Sequence, residues 1–142
     1  QPTLWEGTPG HVRALMRAQP SIGKVCQADS YDYGRTWSDA RPTVLPNPNS
    51  GIDAVKLADG RIVLIYNHTL RSDAHHGRHQ IHLSVSKDNG DTWGAPLLLE
   101  DNGTEYSYPA VIQTQDGRIH ITYTWNRKTI RYIRLDSDEW PQ

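Results

Sequence analysis

The chain has 142 residues, with 15 Lys+Arg against 16 Asp+Glu and a formal net charge of −1. A balance so near zero excludes a nucleic-acid or anionic-membrane binder held by net charge. The one cysteine, Cys26, excludes an intrachain disulfide, and no apolar run approaches the ~18 residues of a membrane-spanning helix.

All predicted elements are strands. β-Branched and aromatic residues dominate the apolar runs, and no stretch holds a 3.6-residue period with caps. In chain order, a first unit has strands near 2–7, 11–18, 23–29 and 38–44. A second has strands near 52–57, 61–67, 80–86 and 95–99, and a third near 109–114, 118–125 and 129–135. Each unit turns between its first two strands at an equivalent pair: Pro9-Gly10, Asp59-Gly60 or Asp116-Gly117. Asp-Gly between apolar runs is a strong hairpin signal.

A second period interleaves with the first. Ser30 to Trp37 and Ser86 to Trp93 both read S-x-D-x-G-x-T-W, 56 residues apart, while the turn glycines Gly10, Gly60 and Gly117 are spaced by 50 and 57. Units of this length are propeller blades, with approximate bounds 1–45, 46–100 and 101–142. In each motif the Asp can accept backbone N–H groups within a tight turn. The Gly can take positive φ, and Trp37 and Trp93 can lie between units. A calcium loop would need a Glu at its twelfth position, which neither copy has. No metal or other cofactor is expected.

The S-x-D-x-G-x-T-W stretch resembles the Asp box of sialidases and other bacterial-neuraminidase-repeat proteins. The runs beginning Pro9-Gly10-His11-Val12, Pro46-Asn47-Pro48-Asn49 and Tyr106-Ser107-Tyr108-Pro109 look like the C-terminal half of bacterial proteins labelled exo-α-sialidase. The resemblance implies an all-β fold: three four-stranded-type blades of a six-bladed β-propeller. These form a half-ring in one segment over 1–142, its last blade lacking the outer strand. Open edge strands invite pairing. The expected partners are therefore carbohydrate and either a second copy, a homodimer closing six blades, or the missing half of a longer chain. Neither nucleic acid nor membrane is expected. No signal peptide is visible, and the compartment stays open, with a secreted or periplasmic soluble protein as the leaning.

Strand direction puts the Asp boxes and Asp-Gly turns on one face and the unit-to-unit loops on the other. The resemblance places the pocket on that second face, and loops on a rigid scaffold are where sites generally sit. The substrate-binding candidates are Asn47, Asn49 and Ser50, then Asn67, His68 and Arg71, then Tyr106, Trp125 and Arg127. Amides, hydroxyls, guanidiniums and a Trp face suit a polyhydroxylated, carboxylated ligand. Asp53 is a candidate general acid or base, although an Asp at a strand start often bonds local backbone. Tyr108 and Glu105 complete the catalytic candidates, because sialidases use a Tyr nucleophile activated by a Glu. In the family those two come from different blades. The family also gathers three arginines on the carboxylate, usually from inner strands, and none of the three inner strands predicted here carries one. Arg78 is a further possible carboxylate partner, whereas Arg13 and Arg17 read as structural. His75, His76 and His79 read as a polar loop rather than a metal site. The implied function is a sialidase-like glycoside hydrolase acting on terminal acidic sugars. The alternatives are a lectin, a polysaccharide lyase using Tyr108 and His68, or a scaffold with no sugar.

Overall fold

The computed structural model describes residues 1–70 and 76–136. Its strands are β1 (Pro2–Glu6), β2 (Val12–Met16), β3 (Lys24–Ser30), β4 (Arg41–Pro46), β5 (Asp53–Lys56), β6 (Ile62–Tyr66), β7 (Ile81–Ser86), β8 (Leu97–Glu100), β9 (Tyr106–Gln113), β10 (Ile119–Trp125) and β11 (Thr129–Leu135). They form three antiparallel sheets, each ordered as in the sequence: β1 to β4, β5 to β8 and β9 to β11. No helix occurs among the described residues. Each predicted strand has its counterpart.

Two strand starts differ from expectation by three residues, both for local reasons. β4 starts at Arg41 rather than at 38, because Ser38 closes the preceding turn onto Asp29 through bonds of 2.8 and 3.0 Å. β9 starts three residues early. Tyr106 and Ser107 pair with Trp125 and Thr124 beyond a register shift, and Tyr108 in the bulge has φ 53. A bulge re-aims side chains, and this one turns Tyr108 outward.

The three sheets pack in layers, and alternation along β6 shows how. Ile62, Leu64 and Tyr66 join Trp5, Leu15, Val25 and Leu45 in one core cluster. Val63 and Ile65 join Val111, Ile119, Ile121 and Tyr123 in the other. All five residues of β6 are buried, as a strand covered on both faces requires. The first strands of the sheets are neighbours, β1 beside β5 and β5 beside β9. Asp53 ties them together: its carboxylate accepts Thr3 Oγ1 at 2.9 Å from β1 and the Val111 N–H at 2.9 Å from β9.

The two Asp-box turns are superposable in their bonding. Ser30 Oγ donates to Asp32 and accepts the Gly34 N–H, and Asp32 accepts from the Thr36 N–H and hydroxyl. Ser86, Asp88, Gly90 and Thr92 repeat the same set. Gly34 and Gly90 have φ of 83 and 90, where a Cβ would be strained. Under the first turn lies a buried ionic cluster. Asp29, with its side chain 3% exposed, accepts Arg13 Nε at 2.7 Å and is bonded by His11, Gln27 and Arg41. Cys26 is buried and free, and burial pushes its thiol pKa up.

Candidate functional site

The ends of β2 and β6 and the starts of β5 and β9 share one edge of the layered sheets, opposite the Asp-box turns. On that edge three arginines gather. Arg17, just past β2, donates from Nε to Asn49 Oδ1 at 3.1 Å and from Nη1 to the Gln1 side chain at 3.1 Å. Arg78 donates from Nη2 to the Asn49 carbonyl at 3.1 Å and lies 3.5 Å from Glu105. Arg127, in the β10–β11 turn with φ 54, donates from Nε to Glu105 at 2.9 Å. Asn49 and Glu105 thus link the three guanidiniums. With Pro48 and His76, Asn49, Arg78, Glu105 and Arg127 line a recess of about 150 Å³.

Tyr108 stands beside Arg78 of this recess, 51% exposed, with the guanidinium 5.7 Å over its ring. Arg78, and more weakly Arg17 and Arg127, draw the phenol below the ordinary tyrosine range. A positive neighbourhood favours the phenolate. At Glu105 burial alone would raise the carboxyl, but Arg127, Ser107 and Arg78 together outweigh it and hold the group below its usual range. Arg78 Nε and Nη1 are buried and make no hydrogen bond among the described residues. Nη1 has only its 3.5 Å approach to Glu105 and Nε has no acceptor, and buried guanidinium donors so placed suit an anion supplied from outside.

The remaining candidates divide sharply. Asn47, Ser50, Asn67 and Tyr106 are fully buried, so they build the loops rather than line the recess. Asn47 brackets Ser50 with two 3.1 Å bonds. Asn67 donates to the Gln80 and Tyr106 carbonyls at 2.7 and 3.0 Å. The Tyr106 ring packs edge-on against Tyr123, and its hydroxyl donates to Asn102 at 3.1 Å. His68 turns into the seam between the first two sheets, where its Nδ1 bonds the Tyr66 hydroxyl. Trp125 is half-buried with Arg131 stacked 5.0 Å over its ring. Asp53 is held between β1 and β9, as described. Arg71 lies outside the described residues. Arg17 shows the opposite outcome: a second-strand position that reads as structural delivers its guanidinium to the site. The signal available was its place at the strand end on the loop face.

Comparisons with known proteins agree with this architecture. The family model of the BNR repeat-like domain matches residues 1–121. Among solved structures, the Hadza microbial sialidase Hz136 matches with a TM-score of 0.76 and 24% identity, over 96% of this chain and 27% of that one. The intramolecular trans-sialidase from Ruminococcus gnavus, in complex with oseltamivir carboxylate, gives 0.70 and 19% over 98% and 32%. The K499G mutant of NanB sialidase from Streptococcus pneumoniae gives 0.69 and 19% over 97% and 23%. At these identities the likeness shows a shared fold. The chain spans about a quarter to a third of the length of these structures. Comparison with curated proteins returns no match.

Proposed function

The chain belongs to the BNR repeat-like domain family, and on that premise we propose that it is a sialidase-like glycoside hydrolase acting on the terminal acidic sugar of a glycan. The observation that carries this is the gathering of Arg17, Arg78 and Arg127 around an exposed, acidified Tyr108. A sugar carboxylate seated among these guanidiniums takes Arg78 Nε, which makes no hydrogen bond among the described residues. The sugar ring then lies over Tyr108, whose phenol oxygen is the nucleophile for the anomeric carbon. Glu105, kept ionised by Arg127 and Arg78, is the carboxylate at the recess able to take the phenol proton. The glycosidic bond breaks as the Tyr–sugar bond forms, the departing oxygen taking a proton from solvent; water then attacks the anomeric carbon, its hydroxyl staying on the sugar and its proton returning to the Tyr108 oxygen, while Glu105 gives up the phenol proton to solvent.

One observation favours a second reading, a sugar-binding module without turnover. Asp53, the candidate general acid or base, is engaged by Thr3 and Val111. The lyase reading loses support, because His68 faces Tyr66 and His82 in the seam. Turnover of a fluorogenic sialoside separates the readings. Tyr108→Phe is expected to lower kcat by at least about 100-fold with KM nearly unchanged, and Arg78→Met to raise KM. Sialoside binding without turnover supports the lectin. An unsaturated product from a uronate polymer supports the lyase. A chain that neither binds nor cleaves any of them defeats the proposal.

A further inference from the structure

The β10–β11 turn holds two consecutive non-glycine residues in the left-handed region, Asn126 at φ 51 and Arg127 at φ 54. The Lys128 N–H closes it by donating to the Trp125 carbonyl at 2.9 Å. A two-residue hairpin turn of this kind needs positive φ at both central positions, and Asn-Gly is its favoured pair. Asn126 suits the first position. An arginine at the second gives up the freedom of glycine, and backbone strain of this sort persists where the surroundings over-determine it, commonly at functional sites.

What surrounds the turn is the Glu105 segment. The Asn126 N–H donates to the Glu105 carbonyl at 2.7 Å. Asn126 Oδ1 accepts the Thr104 N–H at 2.8 Å, the Thr104 hydroxyl at 3.0 Å and the Glu105 N–H at 2.9 Å. A hairpin requires none of these four bonds. Turning the amide over would set Nδ2 against two backbone N–H groups, so its orientation is fixed. The N–H and C=O of Glu105 are thus both held by one residue. At the far end of the Glu105 side chain, Oε1 takes Arg127 at 2.9 Å, Ser107 at 3.3 Å and the approach of Arg78 at 3.5 Å. Oε2 accepts no hydrogen bond among the described residues, which leaves it free to take a proton.

We propose that Asn126 is a positioning residue for Glu105: it fixes the Glu105 backbone so that Oε1 stays on Arg127 and Oε2 is kept for the Tyr108 proton. This rests on the roles given to Glu105 and Tyr108 above. Asn126 does not line the recess and acts through Glu105 alone. Its loss therefore slows the proton step without weakening the seat of the sugar carboxylate.

Asn126→Gly is the test, because it keeps the positive φ and the backbone N–H and removes only the amide oxygen. Thr104 is exposed, so water replaces its lost bonds, and the thermal midpoint is expected to fall by less than about 5 °C. With a fluorogenic sialoside, kcat is expected to fall at least about tenfold at nearly constant KM. Asn126→Asp keeps an acceptor oxygen in place and is expected to restore kcat to within about threefold of wild type. A second measurement needs no turnover: the Glu105 carboxyl, titrated by ¹³C NMR in the ligand-free chain. Arg127, Ser107 and Arg78 hold that group low against its burial, so Asn126→Gly should let its pKa rise. An Asn126→Gly chain that keeps either the wild-type kcat or the wild-type Glu105 titration overturns the proposal. So does an Asn126→Asp chain as slow as Asn126→Gly. A wild-type chain that turns over no sialoside defeats the catalytic reading instead, and the Glu105 titration then decides the positioning by itself.

Discussion

Replacing Asp29 with alanine is expected to destabilise the chain by about 3–5 kcal/mol, a large part of the ~5–15 kcal/mol that holds a typical domain together. The side chains of Asp29 and Arg13 are 3% and 5% exposed, so neither charge is solvated by water. Burial alone would raise the Asp29 carboxyl, but His11, Arg13 and Gln27 bond it and hold its pKa well below the usual carboxylate range. Without Asp29, Arg13 keeps Asp91, which is largely exposed, and loses its buried counter-charge. Because Arg13 also seats the Asn89–Asp91 turn, the damage reaches the seam between two sheets. Asp29→Asn retains part of the hydrogen bonding and should cost roughly half as much. The measurement is the urea midpoint and slope. An Asp29→Ala chain within about 1 kcal/mol of wild type would show that the cluster is dispensable.

Acidification from pH 7 to 4.5 is expected to remove about 2 kcal/mol through His82. Its ring is buried between the sheets, and its Nδ1 accepts the His68 N–H at 3.3 Å. Burial, then the positive potentials of His68 and His79, hold its pKa down to about 4 from an ordinary 6.5. The unfolded chain therefore takes up a proton near pH 6.5 that the folded chain resists. The contribution is complete above that pH and is lost as the pH falls towards 4. His68 is shifted the same way, first by burial and then by Lys24, and adds to the loss. Asp29 and Glu105, held low, titrate mainly below this window. His82→Gln should flatten the pH dependence of the urea midpoint between pH 7 and 4.5. An unchanged dependence in that variant would place the titration elsewhere.

The strands were legible because their evidence is local. Alternation, Asp-Gly turns and two interleaved repeats each depend on residues close in sequence, and Asp32 and Asp88 bond as their spacing implies. The site was legible only in part. Tyr108, Glu105, Asn49 and Arg127 do meet, since loop order alone puts them on one edge. Asn47, Asn67 and Tyr106 share that edge but point inward, and no sequence pattern distinguishes a buried loop amide from an exposed one. Asp53 was ambiguous for a related reason: its partners Thr3 and Val111 lie 50 and 58 residues away. Arg17 follows a second strand, a position that reads as structural, and its reach to Asn49 depends on how the first two sheets stack.

The arginine cluster is tested most directly by titrating free sialic acid into the ¹⁵N-labelled chain and following the arginine Nε–H resonances. The Arg17, Arg78 and Arg127 signals are expected to move together with one saturation curve, galactose is expected to move none of them, and Arg78→Met is expected to weaken the response of the other two. If sialic acid leaves all three unmoved at millimolar concentration, or if galactose shifts them equally, these guanidiniums do not form a site for a sugar carboxylate.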